Sequence, residues 1–266
     1  MIPIICFTSD FGLADGWAGV CHATIYRTCP QAKVVDLSHE VPPFDIRKGA
    51  FVAASGAWQL PKAIHLVVVD PGVGGGRRDL VIVTGAGVRL VGPDNGVLML
   101  ATWRSGGVAE AYEIDPRKLR PRPPLPTFHA RDVLAPAAAV LASGVDPESL
   151  GAPVDPATLV PAPFSAVRRE GDALVTEVID IDRFGSVRLG VAEEDLEDGF
   201  VGRTVQMSLG HQVLEVPIRA TFADVEVGEP VAVVDSSGWL TLALREDSAA
   251  ERYGIEAGMP ASVQIS

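Results

Sequence analysis

The chain is poor in cysteine and in long apolar runs, and these shortages exclude several classes of protein. Its three cysteines, Cys6, Cys21 and Cys29, form no CxxC pair and leave an odd one over, which argues against a disulfide framework or a zinc knuckle. No stretch approaches the roughly 18 apolar residues that cross a bilayer, and no basic segment precedes the apolar N-terminal run. We therefore expect a cytoplasmic protein with no membrane partner.

Basic residues are also scarce. The 22 Lys and Arg face 34 Asp and Glu, so the formal net charge is −12 at pH 7. Such a chain repels a phosphate backbone, and we expect no nucleic-acid partner. What the chain does have is 47% hydrophobic residues over 266 positions. This is enough to bury a sizeable core in one large domain or in two of ordinary size.

The first half alternates short β-branched runs with segments of helical period. A strand over 2–8 is followed by apolar residues at i, i+3, i+4, i+7 and i+8 from Trp17, which predict an amphipathic helix. Runs at 33–37 and 63–69 predict two further strands, with a second helical pattern from Ile46 between them. This β-α-β-α-β order predicts an α/β domain with a parallel sheet and right-handed crossovers.

A change of pattern near residue 160 separates two predicted domains, 1–160 and 161–266. A proline-rich loop over 116–128 and a small-residue helix over 131–144 close the first domain. Beyond the boundary, apolar runs alternate with Gly and charged turns, which predicts a mainly β domain, either a small barrel or a sandwich. The predicted strands there cover 173–181, 203–209, 231–235 and 239–244.

Three aspartates stand at the ends of the predicted parallel strands. Asp10, Asp36 and Asp70 each follow an apolar run. Ligands bind at the carboxyl ends of the strands in such sheets, so these positions are candidates for a site. For each aspartate taken alone, a local role is the stronger interpretation, because Asp also caps helices and turns.

The glycine-rich run GVGGGRR (72–78) follows Asp70 directly. The segment after it, DLVIVT, is strand-like, so no helix N-terminus is available to hold a phosphate. We interpret the glycines as allowing close approach of backbone to a ligand, with Arg77 or Arg78 supplying a fixed positive charge. A solvated turn is the alternative for either arginine.

His129 lies between the proline-rich loop and the start of a helix, in PTFHARD. Its neighbours Phe128 and Ala130 favour partial burial. The other four histidines, at 22, 39, 65 and 211, are dispersed along the sequence with no HxH or HxxxH spacing. The sequence therefore predicts no metal site.

Five segments of the first domain form an ordered set of motifs: TSDFGLADGWAG (8–19), VVDLSHEVPPFDIRKGA (34–50), HLVVVDPGVGGGRR (65–78), VGPDNGVL (91–98) and TFHARDVLAPAAA (127–139). Taken together and in this order, they resemble the S-adenosylmethionine hydroxide adenosyltransferase family, relatives of the fluorinase and the chlorinase. The resemblance continues more loosely into the second domain through DIDRFGSV (180–187), TFADVEVGEP (221–230) and VDSSGWLTLAL (234–244).

The resemblance implies a doubly wound, mostly parallel N-terminal domain and a β-barrel-like C-terminal domain. It also implies a homotrimer whose active sites combine one subunit's first domain with its neighbour's second, without a cofactor. The implied catalytic residues are Asp70, Arg77 and His129. The implied substrate-binding residues are Asp10 for the ribose hydroxyls, Asp15 for the methionine ammonium, Phe44 for the sugar-facing wall, Asp182, Phe184 and Ser186 for adenine and methionine, and Ser236 with Ser237 for the amino-acid carboxylate.

Two segments depart from the family pattern. Ser186 stands where the family usually has an asparagine, so a side-chain amide that could pair with adenine is replaced by a hydroxyl. The charged run REDSAAERYG (245–254) replaces a small or asparagine-bearing stretch. The halide-using members carry an aromatic residue at the position of Asp70, so this chain has the water-using set.

The expected reaction is hydrolysis of S-adenosyl-L-methionine to adenosine and L-methionine. Water is a poor nucleophile and must be oriented in line with the departing sulfur and partly stripped of its proton. We expect Asp70 to accept a hydrogen bond from the water while Arg77 and His129 stabilise its hydroxide character. The alternatives are an adenosyl transferase that uses a halide or another nucleophile, and a binding protein without turnover.

Overall fold

The computed structural model describes residues 2–119 and 122–266; Arg120 and Pro121 of the predicted proline-rich loop lie outside the described residues. The chain divides into two compact units, Met1–Pro163 and Phe164–Ser266. None of the helices in the described residues is long and apolar enough to cross a membrane.

The first unit is built on a seven-stranded sheet with the strand order β2-β1-β3-β5-β4-β6-β7. The neighbours from β2 to β5 are parallel, and the β5–β4, β4–β6 and β6–β7 pairs are antiparallel. The elements in chain order are β1 (Ile4–Ser9), α1 (Trp17–Thr28), β2 (Lys33–Ser38), α2 (Ile46–Gln59), β3 (Ile64–Val68), β4 (Asp79–Thr84), β5 (Arg89–Pro93), α3 (Met99–Arg104), β6 (Val108–Ile114), α4 (Ala135–Ala142) and β7 (Gly151–Pro153).

Helices cover both faces of this sheet because its central strands are apolar on both sides. In β3, Leu66 and Val68 belong to the cluster that also contains buried residues of α1 and α4. On the opposite face, α2 comes so close that a Cβ at Gly49 would lie 2.7 Å from a methyl group of Val69. Neighbouring side chains of a strand point to opposite faces, so this alternation produces the predicted doubly wound arrangement.

The segment before α4 differs from the continuous helix predicted over 131–144. Residues Ala130–Leu134 form one π-helical turn, which begins directly after His129 and passes into α4. Pro136, which has no N–H, directly follows this wide turn at the start of α4. Such wide turns are rare and concentrate at functional sites, so the position of His129 is notable.

The second unit is an antiparallel, barrel-like sheet with the order β12-β11-β15-β9-β10-β14-β13, with β8 paired to β9. A bridge between Ile218 and Ala232 links the two ends of that order, so the sheet nearly closes. The predicted barrel-like fold is thereby confirmed. Its elements are β8 (Arg168–Glu170), β9 (Ala173–Ile181), β10 (Val187–Ala192), β11 (Thr204–Leu209), β12 (Gln212–Pro217), β13 (Pro230–Val234), β14 (Trp239–Leu244), α5 (Ala249–Tyr253) and β15 (Pro260–Ile265).

Candidate active site

A pocket of about 280 Å³ opens at the carboxyl ends of β1 and β3 in the first unit. Five residues that the sequence analysis singled out line it together: Asp10, Asp15, Phe44, Asp70 and His129. The remaining lining residues are mostly apolar: Phe11, Trp17, Pro43, Val68, Val73, Thr127, Phe128 and Ala130. An apolar pocket with a few convergent polar groups is the usual form of a small-molecule site.

Arg77 holds the carboxylate of Asp70 at this pocket. Its Nε donates to Asp70 Oδ1 at 3.0 Å and its Nη2 donates to Oδ2 at 2.5 Å. The two side chains are only 10% and 6% exposed. Although burial disfavours the Arg77 cation, its hydrogen bonds and charge contacts with Asp70 and Asp79 raise its pKa overall. Arg77 is therefore a permanent positive charge directly beside Asp70.

His129 is linked to this pair through a residue that sequence reasoning missed, Asp79. Asp79 Oδ1 accepts from Arg77 Nη1 at 2.7 Å, and its Oδ2 lies 2.7 Å from His129 Nδ1. Burial raises the pKa of Asp79, and the nearby Arg77 and His129 oppose that rise. We name Asp70, Arg77, Asp79 and His129 the acid-base cluster.

Two local features bring the loop after β3 against the segment that carries His129. Gly74 has a φ of +77°, and a Cβ there would lie 2.4 Å from the carbonyl oxygen of Pro126, so only glycine fits. The buried carboxylate of Asp132 accepts from the Leu125 amide at 2.8 Å and from Arg131 Nε at 2.8 Å. The end of the proline-rich loop is thus fixed to the π-helical turn, which orients His129.

Asp10 and Phe44 form a second part of the pocket lining. Asp10 Oδ2 accepts the Phe44 amide at 2.9 Å, and Phe44 has a φ of 69°, a conformation that few bulky residues adopt. Strain of this kind concentrates at functional sites. Phe11, Trp17 and Phe128 complete an aromatic wall, with ring centroids 5.6 to 6.2 Å apart.

The predicted adenine and methionine residues lie in the second unit. Asp182, Phe184, Ser186 and Ser236 line a cleft of about 870 Å³ there. Asp182 Oδ1 accepts the amides of Phe184 and Ser186, each at 2.9 Å, so this aspartate also holds its own turn. Ser237 adjoins the cleft, with its amide donating to Asp235 Oδ1 at 2.8 Å.

The structure brings together two of the histidines that are dispersed along the sequence, His22 and His39. Helix α1 packs beside the parallel β1–β2 pair and brings His22 Nε2 to 2.8 Å from Asp36 Oδ1. His39, just after β2, places its Nε2 3.0 Å from the same oxygen. Sequence spacing alone does not reveal this contact, because it is made across separate elements. Asp36 therefore does not join Asp10 and Asp70 at the pocket.

The chain is similar to known proteins over most of its length. The chain matches the SAM hydroxide adenosyltransferase N-terminal domain over residues 5–151 and the C-terminal domain over residues 176–262. It is 41% identical to the (R)-S-adenosyl-L-methionine hydrolase of Salinispora tropica, over 96% of this chain and 95% of that one. It is 40% identical to the hydrolase of the same name from Thermus thermophilus, over 96% and 97% of the two chains.

More distant relatives include a fluorinase of Nocardia brasiliensis, 30% identical over 99% of this chain and 97% of the relative. Among solved structures, an uncharacterized conserved protein from Thermotoga maritima superposes with a TM-score of 0.88 at 31% identity, covering 98% and 99% of the two chains. Both domain matches, in order and over most of the chain, confirm the predicted resemblance. The chain belongs to the SAM hydroxide adenosyltransferase family.

Proposed function

We propose that this chain hydrolyses S-adenosyl-L-methionine to adenosine and L-methionine by in-line attack of water on the ribose 5′ carbon. The acid-base cluster at the pocket carries the proposal, because it places Asp70 beside a fixed cation and His129 beside a buried carboxylate. The hydrolase names of relatives about 40% identical over 96% of the chain support the same reaction.

The substrate-binding roles follow the family motifs. In this proposal Asp10 accepts hydrogen bonds from the ribose hydroxyls, Asp15 pairs with the methionine ammonium and Phe44 covers the sugar. Asp182, Phe184 and Ser186 contact adenine and methionine, and Ser236 with Ser237 holds the amino-acid carboxylate. The pocket position of Asp10, Asp15 and Phe44 supports the first three roles.

The reaction needs a positioned water, but the protein does not have to activate the leaving group. Methionine leaves as a neutral thioether from a sulfonium, so the leaving group is already good. Each oxygen of Asp70 accepts one hydrogen bond from Arg77, and a carboxylate oxygen has a second lone pair with which it can hold the attacking water. The positive charge of Arg77 favours negative charge developing on that water.

We propose that no metal and no cofactor take part. Both oxygens of Asp70 are engaged by Arg77, and both oxygens of Asp79 are engaged by Arg77 and His129. The guanidinium of Arg77 and the imidazole of His129 thus satisfy the carboxylates that would otherwise be candidate metal ligands. We also place the protein in the reducing cytoplasm, since its three cysteines are unpaired.

Product analysis tests the proposal. Purified protein is incubated with S-adenosyl-L-methionine in ¹⁸O-labelled water, and the products are separated by chromatography with mass detection. The expected products are methionine and adenosine carrying ¹⁸O at the 5′ hydroxyl, with Asp70→Asn protein as the matched control. Adenine release, or adenosine without the label, would contradict attack of water on the 5′ carbon.

The same assay separates the alternatives. In the presence of chloride or fluoride, a halide-using transferase forms a 5′-halogenated nucleoside, whereas a hydrolase forms adenosine at an unchanged rate. A binding protein without turnover returns intact substrate while calorimetry still detects binding. Since relatives named fluorinase are 30% identical to this chain, the halide arm is the more informative control.

We propose further that the protein is a homotrimer whose sites are shared between neighbouring subunits. Phe44 at the first-unit pocket is 71% exposed and Phe184 at the second-unit cleft is 73% exposed, so both rings are available to a neighbouring subunit, as a shared site requires. Sedimentation should give about three times the 28.0 kDa chain mass. A fully active monomer would contradict the shared site.

A further inference from the structure

Asp79 is a buried carboxylate that contacts two other members of the acid-base cluster, Arg77 and His129. It is the first residue of β4, directly after Arg77 and Arg78, and its side chain is 7% exposed. One oxygen accepts from Arg77 Nη1 at 2.7 Å, while the other lies 2.7 Å from His129 Nδ1. Asp79 itself does not line the pocket, whereas Asp70 and His129 do. Its influence on the reaction therefore passes through other side chains.

These contacts decide which nitrogen of His129 carries the proton. An ionised carboxylate only accepts hydrogen bonds. When Asp79 is ionised and paired with Arg77, its Oδ2 can bond His129 only if Nδ1 of the ring carries the proton. In the neutral ring the other nitrogen, Nε2, then has a free lone pair. Nδ1 is engaged by Asp79, so Nε2 is the nitrogen of this pocket-lining histidine that remains for a ligand.

We propose that Asp79 is a positioning residue that fixes the Nδ1–H tautomer of His129, and that His129 Nε2 takes the proton of the attacking water. This inference rests on the hydrolysis proposed above. Asp70 is less suited to take that proton because each of its two oxygens already accepts a hydrogen bond from Arg77. Asp70 instead orients the water.

The step balances without another reactant. The water oxygen forms a bond to the ribose 5′ carbon as the bond from that carbon to sulfur breaks, and the electron pair of the broken bond stays on sulfur. The sulfonium thereby becomes the neutral thioether of methionine. The water proton moves to His129 Nε2, and the imidazolium later releases it to solvent.

The charges in the cluster do not balance while His129 is neutral. The carboxylates of Asp70 and Asp79 pair with a single guanidinium, Arg77, so the cluster then carries one uncompensated negative charge. A proton that leaves the attacking water for His129 Nε2 therefore moves toward net negative charge inside a buried site, where electrostatic contacts are strong.

The first test is the tautomer itself. Long-range ¹H–¹⁵N spectra of ¹⁵N-histidine protein distinguish Nδ1–H from Nε2–H imidazole, and we expect the Nδ1–H form for His129 in the wild type. In Asp79→Asn, the amide oxygen can still accept from Arg77 while the amide nitrogen donates to Nδ1, so the ring should change to Nε2–H. Asp94→Asn is the matched control, because Asp94 is a buried partner of the neighbouring Arg78 and should leave the His129 signals unchanged.

The second test is kinetic. Asp79→Asn should lower the turnover of S-adenosyl-L-methionine by about 10²–10⁴ with little change in KM, as expected when a general base has the wrong tautomer. An Nε2–H wild type, or an Asp79→Asn variant with wild-type turnover and tautomer, would overturn the inference. If the wild type releases no adenosine, the proposed hydrolysis fails, and the tautomer measurement still decides the role of Asp79.

A separate observation concerns His22, Asp36 and His39, which lie outside the pocket lining. The Nε2 atoms of both histidines approach Asp36 Oδ1, at 2.8 Å and 3.0 Å, and one ligand atom from each of the three residues lies within 4.8 Å of the others. Such a two-histidine, one-carboxylate set fits a divalent transition metal. We name these three residues the His-Asp-His cluster.

The buried member of this cluster is the second observation that points to a ligand. His39 is 4% exposed, and its Nδ1 is held 2.7 Å from the hydroxyl of Ser9. Its Nε2 is buried without a hydrogen-bond partner, although Asp36 Oδ1 is only 3.0 Å away. A buried polar nitrogen in this state is costly unless something binds it.

We infer that the His-Asp-His cluster binds one zinc-like divalent ion through His22 Nε2, Asp36 and His39 Nε2. Ser9 then serves as the outer partner that orients the His39 ring. The side chains of His22 and Asp36 are 25% and 40% exposed, which gives an ion a path from solvent. Since Ser9 is the last residue of β1 and directly precedes Asp10, a bound ion would stabilise the end of β1 next to the pocket.

Titration of untagged, chelator-treated protein with cobalt(II), followed by competition with zinc, tests this site. We expect one equivalent to bind with a visible absorption band and zinc to raise the thermal midpoint. His22→Gln and Asp36→Asn change partly exposed residues and should remove both effects, whereas His211→Gln, on an exposed turn, should keep them. Absence of one-equivalent binding in the wild type, or equal binding in both variants, would overturn the inference.

Discussion

Arg77 bonds each of the two carboxylate oxygens of Asp70, at 3.0 Å from Nε and 2.5 Å from Nη2. A lysine could offer only one point charge to this carboxylate, whereas the planar guanidinium sets both its position and its orientation. The third hydrogen bond of Arg77 goes to Asp79 at 2.7 Å. The Asp70 carboxylate is therefore oriented by a residue close to it in sequence, whereas His129 comes from a distant segment.

Asp70→Asn should lower turnover by about 10²–10⁴ with a smaller change in substrate binding. The amide keeps the size of the side chain, but it removes the charge that pairs with Arg77 and one of the two acceptor oxygens. Turnover at saturating S-adenosyl-L-methionine and affinity from calorimetry measure the two effects separately. A near wild-type rate in a folded Asp70→Asn protein would leave the cluster without a role in the reaction.

The double variant Asp70→Asn with His129→Ala should cost much less than the two single losses combined. If Asp70 and His129 act on the same water as a unit, loss of either one removes most of their joint effect, so removing the second lowers turnover only a little further. Rates of the four proteins in the cycle measure the coupling. Two losses that multiply would show that Asp70 and His129 act on separate steps.

The structure explains which parts of the site the sequence could predict. Asp10, Asp70 and His129 could be predicted because they follow apolar runs or begin a helix, and the family resemblance implied their roles. Asp79 gave no such signal, because a polar residue at the start of a strand is ordinarily exposed. Its burial becomes visible only when the loop closed by Gly74 and Pro126 brings the His129 segment over it.

The fold, too, could be predicted from the sequence only in part. Helical and strand periodicities located α1, α2 and β1 to β3, since one buried face is enough to impose a period. Strands β4 and β5 pair antiparallel because the residues between Thr84 and Arg89 are too few for a helical crossover. The π-helical turn after His129 has no sequence signature in its small residues, and it depends on the tertiary bonds of Asp132.

Asp10→Ala should chiefly weaken substrate binding and raise KM by about 10- to 100-fold, the loss expected for a hydrogen bond to a charged group. Its carboxylate also accepts the Phe44 amide at 2.9 Å, so the alanine variant loosens Phe44 as well. Asp10→Asn retains an acceptor for that amide and should give an intermediate KM. A fall in turnover at unchanged KM would contradict a binding role.

Hydrolysis should survive exhaustive chelation, because no member of the His-Asp-His cluster lines the pocket. Protein treated with a chelator and then freed of it is assayed for adenosine release, while its thermal midpoint is recorded in parallel. We expect unchanged turnover even where the midpoint falls. Loss of activity that one added metal restores would place a metal in the reaction and contradict the mechanism.

The buried thiols should make stability fall at alkaline pH. Burial raises the pKa of Cys6 to about 11, and it raises the pKa of Cys21 to about 12, where Arg131 opposes the shift and Asp132 adds to it. Unfolded thiols ionise near a pKa of about 8.5, so the stability they contribute is fully present below that pH and is lost as pH rises toward 11 to 12.

Urea unfolding of the wild type between about pH 8 and pH 10 measures this loss of stability. A variant that combines Cys6→Ala with Cys21→Ala should show a shallower pH dependence, because neither thiol remains to ionise on unfolding.

Reaction with a thiol reagent is an independent check of the burial of these residues. The folded protein should not react on mixing, since Cys6, Cys21 and Cys29 are at most 1% exposed. All three thiols should react once the protein is denatured. Rapid labelling of any of them in the folded state would contradict the burial on which the pH dependence rests.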